Sequence, residues 1–384
     1  MPIASVLAPS VEVLTSYADD QICRAAAGLW PGDALDLGPV VPGVTSFVRS
    51  VSVGGRPLFA KVSFLGMSLV SVLRGSAGDW AAVEASQDAY LRGPGSLNER
   101  EAAHLALLRD WGVRVPRVAG YRSGVLFTEA VAGPTLADRL AADPGAAGSL
   151  VAAARSELQR MRRPGAVDLV QGLEIRERSV PAVFARKFNG LSGPAYLGQA
   201  GEWGPLLAGV VGRVRPSYRR ERAESRVVLF GDFKPEHVVL PDGGDGRPVL
   251  LDPGLAVGPA HVDAAKLVSR AVLDTLASPS PSAGALVAVL GGFAEAECAA
   301  AGAGDRDVWL RRLVLVWLMD SVNILTTYLT CPDPGLLSAR AKAVAASAGQ
   351  VCRLLDAVSV LASLPDPAGV WESALGLVVK AVHA

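Results

Sequence analysis

The chain has 384 residues, half of them hydrophobic, with 37 basic and 37 acidic side chains and a formal net charge of zero. That length predicts two domains or lobes with a sizeable core, and the neutral balance argues against nucleic acid as a partner, which usually leaves a basic footprint. The four cysteines, Cys23, Cys298, Cys331 and Cys352, lie far apart without a CxxC pair. They suit neither a disulfide framework nor a zinc site, and a reducing cytoplasm is expected. The N-terminal stretch MPIASVLAPSVEVL has no basic segment and carries Glu12, so it reads poorly as a secretory leader. The most apolar helical stretch, 313–319, is too short to span a bilayer and is flanked by Arg312 and Asp320, so no membrane is expected. The basic residues are mostly Arg, and Ala, Gly and Val abound, a composition that suggests a GC-rich bacterial genome.

From Leu37 onward the pattern is β-rich. Residues 37–41, the turn PGVTSF, and residues 48–53 are followed by Gly54-Gly55, which supplies positive φ for a hairpin, and by a third strand at 58–62 that contains Lys61. An antiparallel meander results. Residues 66–96 interrupt it with two short helices, 67–74 and 79–91, punctuated by Gly75, Gly78, Gly93 and Pro94. NEREAAHLALLRDWG is a helix whose apolar face is Ala102, Leu105, Leu107 and Leu108, ended by Gly112. Two more strands, 115–121 and 125–131, flank a turn at 122–124. After Gly133-Pro134 the chain turns helical, over 135–142, 146–161, 180–190 and 203–221. A hairpin-like interlude occupies 226–252, with PDGGDGRP (241–248) as its turn, and helices resume at 263–276, 282–302, 306–329, 335–361 and 368–383. No internal repeat is present. The expectation is an α+β chain with a β-rich lobe at 1–131, built from five strands and a helix with an insertion at 66–96, and a larger helical lobe at 132–384.

The interlude carries the chemistry. In LFGDFKPEHVVL (229–240) Asp232 follows an apolar strand, and in VLLDPG Asp252 ends another. Carboxylates at the ends of neighbouring strands can converge, and they repel unless a cation or a proton lies between them. A bound divalent metal or a division of labour resolves the conflict, and phosphoryl transfer uses both: one Asp for the attacking hydroxyl, the other for Mg²⁺.

GDFKPEH resembles the catalytic loop of the protein-kinase-like superfamily, in which an Asp is followed five residues later by an Asn. LLDPG resembles its metal-binding segment, and Asp263 in HVDAAKL resembles the downstream Asp-x-Ala of the aminoglycoside phosphotransferase and choline kinase branch. The resemblance covers roughly 35–270 and is strongest over 229–267. It implies a two-lobed protein-kinase-like fold, ATP with Mg²⁺, and a hydroxyl acceptor. It further implies that Asp232 is the base or hydroxyl-orienting residue, that Lys234 neutralises the transferring phosphoryl group, and that Asp252 is the principal Mg²⁺ ligand. Lys61 would meet the α/β-phosphates and pair with Glu101. Gly43, Thr45 and Ser46 would lie over the phosphates, and residues 128–131, with Glu129 and Val131, would form the inter-lobe hinge facing adenine. Asp263 would brace the catalytic loop. Two positions depart from the pattern. Phe230 stands where His is usual, and His237 stands where Asn is expected. Imidazole suits Mn²⁺ better than Mg²⁺. The enzyme would therefore use one metal, prefer Mn²⁺, or turn His237 to a phosphate oxygen.

Plainer readings compete at several positions. The two aspartates are common strand-ending Asx-turn residues, PGVTSF is a plain hairpin turn, and Lys61 can snorkel from an edge strand. Glu99 rivals Glu101, and His237 is as well explained by a structural hydrogen bond. His104 and His261 read as structural or surface residues, the cysteines as small hydrophobes, and Trp309, Leu313 and Trp317 as core or a substrate-pocket wall. Three functions follow. One is an ATP-dependent kinase of a small-molecule hydroxyl, such as an antibiotic or a natural-product intermediate. Another is a Ser/Thr kinase of a precursor peptide in lanthipeptide-type biosynthesis, which the KPE triad favours. The last is a pseudokinase scaffold, supported by Phe230 and His237. The helical part has no dense acidic run for amino-sugars, and the apolar insertion 66–96 is expected to dock a partner protein.

Overall fold

The computed structural model describes residues 8–220, 226–241 and 246–383. The chain forms two compact units. The first comprises Met1–Leu107, Pro116–Val131 and Cys331–Ala339; the second comprises Leu108–Val115, Ala132–Thr330 and Arg340–Ala384.

The first unit is an antiparallel sheet of five strands: β1 (Leu35–Val41), β2 (Phe47–Val53), β3 (Arg56–Val62), β4 (Val118–Arg122) and β5 (Val125–Glu129), in the spatial order β1-β2-β3-β5-β4. Gly54 and Gly55, at φ +55° and +80°, make the β2–β3 turn. Strand alternation sends Val51, Val53, Leu58, Ala60, Val62 and Phe127 into one buried core. Lys61, between Ala60 and Val62, therefore points to the opposite face, opposite Val48 on β2 and Leu126 on β5. β3 is an interior strand, so Lys61 is not a snorkelling edge residue.

A helix that the β-rich pattern beginning at Leu37 does not foreshadow, Val11–Leu29, covers that core with Leu14, Ala18, Ile22 and Ala25. Ser10 caps it by accepting from the Val13 N–H. The insertion forms the expected two helices, Leu69–Leu73 and Trp80–Arg92. The apolar side chains expected to meet a partner pack inward instead. Leu69, Val72, Leu73 and Val83 belong to the unit's own core. Gln87, fully buried, receives a hydrogen bond from the Leu65 N–H at 2.7 Å and donates to the Ser63 carbonyl at 2.9 Å. The insertion thus fastens the chain just beyond β3, where Leu65 takes a left-handed φ of +55°.

The second unit is mainly helical. Its centre is the helix Arg306–Leu329, buried at fifteen named positions including Trp309, Leu313 and Trp317, which are core. His261–Ala277, Gly204–Arg220, Ala348–Ser363 and Val180–Lys187 pack around it. The helix Ala283–Ala300 is long and apolar enough to cross a membrane, but half of it is buried, with Leu286, Leu290, Phe293 and Glu297 inside. The stretch expected as one helix over 335–361 is two, Ala339–Ala346 and Ala348–Ser363, bent by 68°. Two further helices, Ala166–Val170 and Ser192–Gln199, lie between expected ones.

The interlude is two small sheets. β6 (Val227–Leu229) pairs antiparallel with β9 (Ala256–Gly258), and β7 (Val238–Val239) with β8 (Val249–Leu250). Of the expected turn 241–248, residues 242–245 lie outside the described residues.

If the insertion is structural, Gln87→Leu strands a buried N–H and a buried carbonyl. It should cost on the order of 1–3 kcal/mol for each, read as a lower urea midpoint.

Candidate active site

In the second unit the site begins with a turn that only glycine can make. Gly231 sits at φ +85°, and a Cβ there would lie 2.2 Å from the Gly254 carbonyl oxygen. The neighbouring Gly254 N–H donates to the Phe230 carbonyl at 2.9 Å. Phe230 and Phe233 are buried with their rings in an edge-on contact, so Phe230 packs where a His was expected. Asp263, near the start of the helix His261–Ala277, accepts from the Phe230 N–H at 2.7 Å and from the Gly231 N–H at 2.8 Å. It braces the loop from inside the protein. Burial pushes its carboxyl up to about 6, against the pull of those two N–H groups.

The turn presents Asp232 and Lys234. A short 3-10 turn, Pro235–His237, then swings His237 back. The His237 carbonyl accepts from the Leu251 N–H at 2.8 Å, which brings the end of β8 alongside. Asp252 follows in a left-handed conformation, φ +55°, uncommon for a non-glycine residue.

The two aspartates do not converge as ends of neighbouring strands, because β6 and β8 belong to different sheets. His237 joins them. Its Nδ1 lies 3.2 Å from Asp232 Oδ2 and its Nε2 lies 3.6 Å from Asp252 Oδ2. Burial and the Lys234 ammonium push the imidazole down to about 4, although both carboxylates pull it upward. At neutral pH the ring therefore carries one proton, and Nδ1 makes no aligned hydrogen bond.

Asp232 is held by cations on both oxygens. Lys234 Nζ lies 3.3 Å from Oδ2, and Lys266 Nζ lies 2.9 Å from Oδ1. Burial alone would raise this carboxyl, but Lys234, Lys266 and His237 outweigh it and hold it well below the usual carboxylate range. Lys266 also reaches Asp320 Oδ1 at 3.3 Å. Asp320, buried in the central helix, takes Arg270 Nε at 2.8 Å and Ser269 Oγ at 2.5 Å on its other oxygen. Burial would raise Asp320, yet Arg270 and Lys266 bring it down to about 2.

Among the described residues no three His, Cys, Asp or Glu side chains gather into a metal cage. Asp252, with 43 % of its side chain exposed, is the more open of the two carboxylates. A single carboxylate fits Mg²⁺, which usually keeps waters and takes phosphate oxygens for the rest. The imidazole beside it supplies a nitrogen donor better suited to Mn²⁺.

In the first unit Lys61 and Glu101 are buried and paired, with Nζ 2.7 Å from both carboxylate oxygens. Glu99 is not the partner, since its carboxylate accepts the Gly95 N–H. Asn98 ties this helix to the sheet by donating to the Lys61 and Gly124 carbonyls at 2.9 and 2.8 Å. The turn after β1 is anchored by its carbonyls: Leu69 N–H donates to Thr45 and Val70 N–H to Val44. Thr45 is exposed and Ser46 buried, while Gly43 has no left-handed φ and room for a Cβ. The Glu129 N–H is spent on the Arg117 carbonyl and the Ala130 N–H on Pro57, so neither is open to a purine ring. Glu129 keeps an exposed side chain 3.9 Å from Arg117, and Val131 is half-buried.

Sequence reasoning missed Lys266, Arg270 and Asp320. The signal was a lone Asp within the apolar run LVLVWLMDSV, since a carboxylate there must find cations.

No family model and no curated protein matches the chain. Among solved structures, an amicoumacin kinase in complex with AMP-PNP, Ca²⁺ and Ami is similar over 90 % of this chain and 96 % of its own, with a TM-score of 0.55 and 12 % identity. Wild-type aminoglycoside 2'-phosphotransferase-IIIa, as its GDP complex, is similar over 86 % and 98 %, with a TM-score of 0.51 and 16 % identity. The chain has the protein-kinase-like fold of the aminoglycoside phosphotransferases. That fold is the expected α+β class, a β-rich N-terminal part followed by a larger helical part. At such identities the likeness speaks for fold alone.

Two outcomes test how this loop is held. Gly231→Ala should destabilise by on the order of 1–3 kcal/mol, seen in urea unfolding. Asp320 has its carboxyl depressed in the folded state, so its stabilisation is complete above the unfolded value of about 4 and disappears as pH falls through the folded value. The stability gap between wild type and Asp320→Asn should therefore shrink as pH drops from about 4 toward 2.

Proposed function

We propose that the chain is a nucleoside-triphosphate-dependent kinase that phosphorylates a hydroxyl of a small molecule, such as an antibiotic or a natural-product intermediate. The observation that carries this reading is the cluster in which His237 lies between Asp232 and Asp252, with Lys234 on the first of them. Phosphoryl transfer asks the protein for positioning and charge stabilisation rather than covalent chemistry. Asp232 would orient the acceptor hydroxyl and take its proton. Lys234 would move its charge to the transferring phosphoryl group. Lys61, fixed by Glu101, would hold the α- and β-phosphates of ATP, with the turn at Gly43, Thr45 and Ser46 beside them. The purine would lie near Glu129 and Val131, using groups other than the two N–H donors already bonded. Asp252 would hold the metal, with His237 as a nitrogen donor where that metal is Mn²⁺. The ion, when bound, neutralises phosphate charge. The fold neighbours, named as kinases of amicoumacin and aminoglycosides, support a small-molecule acceptor.

The test is thermal unfolding with AMP-PNP and Mg²⁺ or Mn²⁺, followed by ATP turnover with a panel of hydroxylated antibiotics. Ligand at about a hundred times its Kd should add roughly 2.7 kcal/mol, and Asp252→Asn should abolish the gain. Asp232→Asn should keep nucleotide binding and lose on the order of a hundredfold or more in turnover. His237→Asn should move the metal preference toward Mg²⁺. No shift with any nucleotide would overturn the proposal, and a shift without transfer would favour a nucleotide-binding scaffold.

A further inference from the structure

The helix His261–Ala277 places three charged side chains, Asp263, Lys266 and Arg270, at i, i+3 and i+7, so they share one face. Each reaches a different part of the catalytic turn or its support. Asp263 takes the backbone N–H groups of Phe230 and Gly231. Lys266 takes Asp232 Oδ1. Arg270 takes Asp320 Oδ2. The two lysines on Asp232 differ in their freedom. Lys234 belongs to the loop itself and lies 3.3 Å from Oδ2 of that carboxylate. Lys266 is tethered, because its ammonium lies between Asp232 Oδ1 at 2.9 Å and the buried Asp320 at 3.3 Å. Asp320 does not depend on Lys266 alone for its compensation, since Arg270 and Ser269 already occupy its other oxygen.

We propose that Lys266 is a positioning residue for phosphoryl transfer: bridged to Asp320, it pins Asp232 Oδ1 and leaves Oδ2 as the oxygen that meets the acceptor hydroxyl. The inference rests on the kinase reading above. When Lys234 swings toward a phosphate, Oδ2 loses that ammonium and, with the His237 ring 3.2 Å away, becomes the oxygen that meets the acceptor hydroxyl, while Oδ1 stays fixed. Without Lys266 the carboxylate would lose the contact that fixes Oδ1. Misplacing a reacting group by about an ångström costs on the order of a hundredfold in rate.

The experiment uses the full chain and measures ATP hydrolysis, in which water stands in for the acceptor. The water oxygen bonds to the γ-phosphorus, the bond to ADP breaks, and the water proton passes by way of Asp232 to solvent. Lys266→Met is expected to lower kcat about a hundredfold while leaving the KM for ATP and the AMP-PNP thermal shift as in wild type. Lys266→Arg, which keeps a cation able to bridge two carboxylates, should recover most of that loss. Ser269→Ala, which removes a hydrogen bond from Asp320 without touching Asp232, should leave kcat unchanged. A merely structural role would lower stability in all three variants and would not separate kcat from KM. If Lys266→Met does not fold, Lys266→Gln replaces it with the same expected loss. Wild-type kcat in Lys266→Met or Lys266→Gln overturns this inference and leaves the kinase reading standing. A wild-type chain that neither binds AMP-PNP nor hydrolyses ATP overturns both.

Discussion

A charge taken out of water has to be paired, and the second unit is organised around that requirement. Asp320 is 1 % exposed and is the one charged residue among the buried positions of the helix Arg306–Leu329. Left alone it would cost several kcal/mol. Lys266 and Arg270 answer it from the adjacent helix, and Lys266 answers Asp232 as well. The position of the turn that carries Asp232 is therefore coupled to the deepest packing of the unit.

The first unit follows the same logic on a smaller scale. Lys61 is set on the face of β3 opposite the apolar core, and Glu101 meets it from the helix Leu97–Asp110. Asn98 holds that helix to the sheet through the Lys61 carbonyl on β3 and the Gly124 carbonyl in the β4–β5 turn. Gln87 closes the chain beyond β3 in the same manner, with both ends of its amide used. In each case a buried polar side chain spends its hydrogen bonds on backbone near Lys61, which fixes strand register as much as it stabilises.

Two left-handed positions shape the loops of the candidate site. Gly231 and Asp252 both take left-handed φ, and the loops that carry them are tied by the Gly254 and Leu251 N–H groups. His237, neutral and set between two carboxylates, is the feature least like the expected asparagine.

Much of this was present in the residue order. Alternation over 37–62 and 115–131 located the five strands, because side chains on a strand face two sides in turn. The loop 229–240 and the segment around Asp252 carried their chemistry in adjacent residues, and the Lys61–Glu101 pairing followed from resemblance. Other features had no local signature. The helix Val11–Leu29 was overlooked beside the strands it covers. The apolar content of 66–96 reads the same whether it packs inward or meets a partner, and only the closed core showed it turned inward. The sequence by itself determined the fold class, the strand pattern and the two aspartates, since these depend on periodicity and short-range chemistry. Tertiary structure alone decided that Asp232 is joined to Asp252 through His237 and to Asp320 through Lys266. Lys266 and Asp320 stand tens of residues from Asp232, and the packing of their two helices brings those charges within reach; Asp252 is brought in by the bond between the Leu251 N–H and the His237 carbonyl.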